Sequence, residues 1–190
     1  MSEFTQNWFE ITAKANFETF FIGYKGKQNL NFLEIGCFEG MATRWMLENI
    51  LTDVSSRITV IDTFGGSIEH KEAGIELAGM LDRFKENTKE WENQIIMKKG
   101  NSQEILRTLP PTNYDCIYVD GSHRASDALQ DIILSWQLLK PGGLMIMDDY
   151  AWNNFTDNLN ACIAIDAFLN CFKDKYELLL KGYQVIIKKL

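Results

Sequence analysis

The chain has 190 residues, of which 46% are hydrophobic and 24% are charged, and this composition suits one compact domain with a sizeable core. Its formal net charge of −7 argues against a broad contact with a phosphate backbone, so we expect no nucleic-acid partner. The start has no basic region followed by an apolar core, and no apolar run approaches the ~20 residues of a membrane span, so we expect a cytoplasmic protein without a membrane partner.

The chain begins with a segment that is rich in aromatic residues. Apolar residues at near-helical spacing predict a helix over 3–22, which Gly23 and Gly26 end. Its predicted stripe consists of Trp8, Ile11, Ala15 and Phe20, broadened by Phe9, Phe17 and Phe21.

Beyond this segment, short apolar runs alternate with longer amphipathic stretches. Predicted strands cover 31–35, 58–61, 95–97, 116–119, 144–147, 176–180 and 184–187. Predicted helices cover 41–51, 75–91, 103–108, 125–139 and 158–172. Ser102 is placed to cap the helix over 103–108, and the Pro-Gly-Gly run at 141–143 should end the helix before it.

Strands that alternate with helices indicate an open α/β sheet, mostly parallel, with helices on both faces. The last two strands have almost nothing between them, so they should form an antiparallel hairpin. Ligands of such sheets bind beyond the carboxyl ends of the strands, which directs attention to the residues that follow each strand.

The first strand leads into Leu-Glu-Ile-Gly-Cys-Phe-Glu-Gly at 33–40. Gly36 permits a tight turn, and Gly40 lets the next helix begin close to a ligand. The loop is not G-x-G-x-x-G, because Glu34 stands where that motif has its first glycine. An ordinary strand–helix turn is the alternative.

Polar residues also follow the second and third strands. Asp62 can accept both ribose hydroxyls of a nucleoside, although a lone acid there could simply cap a helix. Ser102, in Gly-Asn-Ser after the third strand, could reach an adenine edge or serve only as a cap.

Three acids follow the fourth and fifth strands, and parallel neighbours would bring them to one rim. Asp120, Asp148 and Asp149 would repel each other unless a cation such as Mg²⁺ lies between them, or else they cap helices. His123 is placed to act as a general base, with a surface histidine as the alternative, and His70 could border the pocket.

Five segments taken in order carry a family resemblance. They are LEIGCFEG, VIDTFGG, KGNSQEIL, IYVDGSH and LLKPGGLMIMDDY. Together they resemble the class I S-adenosylmethionine-dependent methyltransferases over about residues 30–190, and within them the metal-dependent O-methyltransferases of the catechol, caffeoyl-coenzyme A and macrocin types.

The resemblance implies a Rossmann-like seven-stranded sheet with a C-terminal antiparallel hairpin, and one methyltransferase domain over 1–190. The helical segment 1–28 would pack near the active site. S-adenosylmethionine would be held by Glu34, Gly36, Cys37, Phe38, Gly40, Asp62, Thr63, Ser102 and Asp120. Mg²⁺ would be held by Asp120, Asp148 and Asp149.

The same resemblance leaves the base open, since catechol-type members have a lysine at the position of His123. We expect Asp120 and His123 to be the catalytic residues, with methyl transfer to a small-molecule hydroxyl and a homodimer as a possible assembly. A nitrogen or carbon acceptor stays open. Two other classes are a module that binds the cofactor without turnover and a nicotinamide-dependent oxidoreductase.

Overall fold

A seven-stranded sheet forms the centre of the computed structural model, which describes residues 4–67, 70, 74–152 and 160–190. The strands are β1 (Asn31–Ile35), β2 (Arg57–Asp62), β3 (Ile95–Lys99), β4 (Tyr114–Val119), β5 (Leu139–Met147), β6 (Tyr176–Lys181) and β7 (Val185–Lys189). Their order is β3-β2-β1-β4-β5-β7-β6. Five strands run parallel, whereas β7 is antiparallel to both β5 and β6, so the predicted mostly parallel sheet with a terminal hairpin is confirmed.

Helices flank the sheet. They are α1 (Trp8–Thr12), α2 (Lys14–Phe20), α3 (Met41–Asn49), α4 (Met80–Asn87), α5 (Ser102–Leu106), α6 (Ala125–Leu138) and α7 (Ala161–Cys171). Short 3₁₀ turns occupy Ile22–Tyr24 and Lys89–Gln94. Within the described ranges, no helix combines the length and the apolar character that a membrane crossing requires.

Two hydrophobic cores lie on the two faces of the sheet, because alternate residues of each strand point to opposite sides. Along β1, Phe32 belongs to one core and Leu33 to the other. The first core packs α1, α2, α3 and α4, and the second packs α6 and α7. A sheet buried on both faces explains why its central strands are almost continuously apolar.

The amino-terminal segment differs from the prediction in two ways. The single helix over 3–22 is wrong within the described residues, since the chain bends at Ala13 between α1 and α2. The buried stripe is Phe9, Ala13, Phe17 and Phe21, each four residues from the next, while Trp8 and Ile11 are 41% and 72% exposed. These three phenylalanines pack in the first hydrophobic core, and this packing decides which face of the segment turns inward.

Several other boundaries were also misplaced. Asn101, not Ser102, caps α5, because its side chain accepts the Glu104 N–H at 3.1 Å. The Pro-Gly-Gly run lies inside β5, which begins at Leu139 directly after α6. Helix α4 spans only Met80–Asn87 of the predicted 75–91, and α7 begins at Ala161, while positions 158–159 of that prediction lie outside the described residues.

Candidate functional site

The carboxyl ends of the four central parallel strands and of β3 meet at one edge, and backbone hydrogen bonds continue beyond the strands there. The Gly36 N–H donates to Ile61 O at 2.9 Å, and the Asp120 N–H donates to Ile35 O at 2.8 Å. The Asp148 N–H donates to Val119 O at 3.0 Å. The turns that follow β1, β4 and β5 are therefore fixed against their neighbours.

Gly36 is required by space as well as by backbone conformation. Its φ is +79°, and a Cβ at this position would lie 1.9 Å from Asp120 O and 2.8 Å from Gly121 Cα. The loop after β1 thus touches the backbone of the loop after β4. This contact joins the predicted cofactor loop to the predicted metal cluster.

Asp62 organises the glycine loop itself. Its Oδ2 accepts the N–H groups of Cys37 at 2.8 Å and Phe38 at 2.9 Å, while its Oδ1 accepts the N–H of Phe64 at 2.7 Å. Phe38 has a φ of +48°, a conformation that these bonds help to hold. Asp62 and Thr63 both line the cavity described below.

Glu34 is a buried acid at the end of β1, with its side chain 1% exposed and hydrogen-bonded by the Thr43 hydroxyl. Burial raises the pKa of Glu34 to about 8, and the hydrogen bond from Thr43 opposes that rise. When Glu34 loses its proton, its carboxylate can pair with a positively charged group of a ligand at the cavity wall.

Gly40 is not among the residues that line the cavity, but Met41 and Ala42 at the start of the next helix are, so its predicted role beside a ligand stays a prediction. Its φ is +84°, and a Cβ there would lie 2.9 Å from Phe84 Cδ2 and 3.0 Å from Thr88 Cγ2. Gly40 therefore lets α4 approach the start of α3. The loop residues that line the cavity are Glu34, Ile35, Gly36, Cys37, Phe38 and Glu39.

The acids after β4 and β5 lie together, as predicted, but they have different partners. The Tyr118 hydroxyl bridges Asp120 and Asp148, donating to Asp120 Oδ2 at 2.8 Å and making a short contact with Asp148 Oδ2. Asp148 also accepts the Gln184 amide at 2.7 Å and the Asp149 N–H at 2.8 Å. Burial and the charge of Asp149 raise the pKa of Asp148 to about 7.

Asp120, His123 and Asp149 form a group of candidate ligands. One oxygen or nitrogen from each lies within 4.8 Å of the others, and His123 Nε2 is 2.8 Å from Asp149 Oδ2. Burial, together with the charges of Asp148 and Asp149, raises the pKa of Asp120. Two carboxylates and an imidazole that converge in this way fit a divalent cation. His123 thus lies among the candidate ligands, whereas the sequence placed Asp148 there and His123 as a base.

Ser102 lines the cavity beside Gln103, which the sequence analysis overlooked. The Gln103 Nε2 donates to Ser102 Oγ at 2.9 Å and to Asp131 Oδ1 at 2.8 Å. A polar side chain next to Ser102 was the only signal in the sequence, and it could not reveal the partner on α6.

These groups surround one cavity of about 610 Å³, a volume typical of sites for small molecules. Aromatic rings form part of its wall. Trp8 stacks on His70 with ring centroids 5.4 Å apart, Phe38 lies 5.2 Å from His70, and Trp152 meets His123 edge-on at 4.3 Å. Trp8 of the amino-terminal segment and His70 thus both line this cavity.

Glu39 is the other residue that the sequence analysis missed. Its carboxylate is 1% exposed and accepts the Thr5 N–H at 2.7 Å, the Thr5 hydroxyl at 2.8 Å and the Arg83 Nε at 2.6 Å. It fastens the amino-terminal segment and α4 to the glycine loop. A charge inside an otherwise small and apolar loop was the available signal.

Fold and site together define an α/β protein with a ligand cavity at the carboxyl edge of its sheet. The chain belongs to the family described as "Methyltransferase domain", whose profile matches residues 33–150. The resemblance to class I S-adenosylmethionine-dependent methyltransferases is confirmed, and membership of this family disfavours the oxidoreductase alternative.

A curated relative is the uncharacterised protein R132 of Acanthamoeba polyphaga mimivirus, which is 27% identical over 132 residues. The match covers 65% of this chain and 53% of that protein, so the chain spans about half the length of this relative.

Solved structures share the fold at low identity. A Clostridium thermocellum protein, assigned as an rRNA methylase without an established activity, superposes with a TM-score of 0.70 at 11% identity, covering 94% of this chain and 98% of that one. The O-methyltransferase TomG of Streptomyces achromogenes, in complex with S-adenosylmethionine, gives 0.64 at 14% identity, covering 98% and 91%. The Bacillus cereus O-methyltransferase, in complex with S-adenosylhomocysteine, gives 0.61 at 13% identity, covering 98% and 92%.

Proposed function

We propose that this protein transfers the methyl group of S-adenosylmethionine to a hydroxyl oxygen of a small molecule, assisted by a divalent cation. The observation that carries this proposal is the shared cavity: the glycine loop, Asp62 and Ser102 line it together with the cluster of Asp120, His123 and Asp149.

The cofactor would occupy the part of the cavity between the glycine loop and Ser102. Glu34 is placed to meet the methionine ammonium, and its ionisation would neutralise that charge inside the buried wall. Asp62 is placed to meet the ribose hydroxyls while its carboxylate keeps the loop in shape. The protein thus meets the cofactor with a preorganised loop.

The acceptor would lie between the methyl group and the acid cluster. Its oxygen attacks the methyl carbon as the carbon–sulfur bond breaks, which leaves S-adenosylhomocysteine as the second product. Positioning these atoms in line can lower the activation free energy by ~7–11 kcal/mol. A base takes up the proton of the acceptor's hydroxyl. His123 is the candidate for this base, with its ring oriented by Asp149.

Asp120 and Asp149 would hold the divalent cation, and either His123 or Asp148 would complete the set. A bound cation lowers the pKa of a hydroxyl that it contacts. If His123 is a ligand, the base must be another group or solvent. Mg²⁺ suits a set made only of oxygen atoms, whereas a histidine ligand favours Mn²⁺ or another transition metal.

The test is methyl transfer from labelled S-adenosylmethionine to a panel of catechols and sugars, with and without chelator, and with a structured RNA as a further acceptor. We expect label on a small-molecule oxygen, lost with chelator and restored by Mg²⁺ or Mn²⁺. Asp120→Ala and Asp149→Ala should lose the restored activity, while the control Asp166→Ala, which removes a surface acid paired with Lys181, should keep it.

Transfer only to RNA would overturn the small-molecule acceptor. Activity that is unchanged by chelation would overturn the role of the cation and leave the methyltransferase intact. Tight binding of S-adenosylhomocysteine without transfer to any acceptor in cell extract would favour the non-catalytic module instead.

A further inference from the structure

Asp131 is a buried acid that the proposed mechanism does not use. It lies on α6 with no measurable exposure, and its Oδ1 is 2.8 Å from Gln103 Nε2. Its Oδ2 is also buried and has no hydrogen-bond partner in the described part of the chain. A buried carboxylate that lacks part of its hydrogen bonding is expensive, so its retention calls for a reason that Asn or Leu could not meet.

The consequence falls on Gln103, which lines the cavity beside Ser102. Both N–H bonds of the Gln103 amide are used, one by Asp131 Oδ1 and the other by Ser102 Oγ. A carboxylate can only accept hydrogen bonds, so it fixes which end of the amide faces α6. The carbonyl oxygen Oε1 is the end left for a ligand, and no described residue donates to it.

We propose that Asp131 is a positioning residue that holds the Gln103 carbonyl toward the cofactor's base, and so selects a purine with an exocyclic amino group. This inference rests on the proposed function, since it assumes that the nucleoside occupies the cavity at Ser102. A carbonyl oxygen accepts from the amino group of adenine, whereas it repels the oxygen that hypoxanthine carries at the same position.

The ionisation of Asp131 is consistent with this role. Burial raises its pKa to about 6, and the Ser102 hydroxyl and the Gln103 amide oppose that rise, while the charge of Asp127 adds to it. At neutral pH the group is still mostly ionised and offers acceptors only. An asparagine of the same shape could present either its oxygen or its amino group, and the amide of Gln103 could then turn over.

The experiment measures the affinities of the full chain for S-adenosylhomocysteine and S-inosylhomocysteine by calorimetry at pH 7.5. We expect the natural protein to bind the adenosyl compound at least tenfold more tightly. Asp131→Asn should reduce that affinity ratio to below about threefold, because the adenosyl compound should bind more weakly and the inosyl compound more tightly. Gln103→Leu should also bring the ratio near one, and it tests the inference separately if the Asp131 variant fails to fold.

Glu104→Gln is the matched control, because it removes one acid from the same short helix without touching Gln103 or Asp131. Its ratio should equal that of the natural protein. A natural protein that binds both compounds equally, or an Asp131→Asn variant with an unchanged ratio, would overturn this inference while S-adenosylhomocysteine binding still supports the proposed function. A natural protein that binds neither compound would overturn both.

Discussion

Replacing Gly36 with alanine tests whether the glycine loop and the acid cluster are held in contact. The added Cβ would need to occupy a point 1.9 Å from Asp120 O, a backbone atom that cannot swing away as a flexible side chain would. Alanine in the left-handed region costs about 1–2 kcal/mol, and forcing packed atoms apart costs about 1–3 kcal/mol more. We expect Gly36→Ala to lower the free energy of unfolding by about 2–5 kcal/mol.

Gly142 provides a control with nearly the same backbone. Its φ is +80° against +79° for Gly36, but nothing lies within 4 Å of a Cβ added there. Gly142→Ala should therefore show the conformational cost of about 1–2 kcal/mol and no clash. The difference between the two variants measures the contact between the loops.

Urea denaturation followed by tryptophan fluorescence gives both free energies. For a chain of this size, 1 kcal/mol shifts the melting temperature by roughly 2–4 °C, so a thermal scan should resolve the two variants as well. Equal destabilisation by the two substitutions would refute the reasoning, because it would mean that the space beside Gly36 is not restricted by Asp120.

Three further substitutions test individual side chains. Asp62→Ala leaves three backbone N–H groups without their acceptor, so it should lower the free energy of unfolding by about 2–4 kcal/mol. It should also weaken S-adenosylhomocysteine binding at least tenfold in calorimetry. Asp62→Asn keeps one oxygen, so its losses of stability and affinity should be smaller. Binding of S-adenosylhomocysteine should release a proton from Glu34 at pH 7, because the pKa of Glu34, about 8, must fall when the ligand's ammonium group approaches. Calorimetry in buffers of different ionisation enthalpy should detect that release in the natural protein and not in Glu34→Gln. Asp131→Asn should stabilise the fold by up to about 3 kcal/mol at pH 8 and by nothing at pH 3.5. The reason is that the raised pKa of Asp131, about 6, makes its ionisation cost stability progressively as the pH rises from the ordinary aspartate pKa to 6. Urea denaturation that gives the same difference in unfolding free energy at both pH values would contradict this prediction.

Much of the sheet could be predicted because parallel strands and the hairpin have strong local signals. The acids at strand ends were found for the same reason: strand order brings the carboxyl ends of β1, β2, β4 and β5 to one edge whatever the side chains do. Position alone therefore predicted that Asp62, Asp120 and Asp149 would share a cavity.

What the sequence could not supply was the partner of each polar group. Glu39 and Arg83 are 44 residues apart, and Gln103 and Asp131 are 28 apart, so their contacts depend on how helices pack against the sheet. The amino-terminal stripe was only partly correct for a related reason, since its broadening residues Phe9, Phe17 and Phe21 are buried and Trp8 and Ile11 are exposed. Two helical faces were both apolar enough to be buried, and only the fit of Phe9, Phe17 and Phe21 against the sheet chose between them.

The neighbouring acids Asp148 and Asp149 show how far such partners change the chemistry of one residue type. Asp148 is 6% exposed, contacts the Tyr118 hydroxyl, and accepts bonds from Gln184 and the next backbone N–H, so most of its lone pairs serve the fold. Asp149 adopts a φ of +58°, which turns the chain so that its carboxylate faces His123 and Tyr183 at the cavity. Because the pKa of Asp148 lies near 7, it can remain partly protonated beside two other acids and reduce their repulsion.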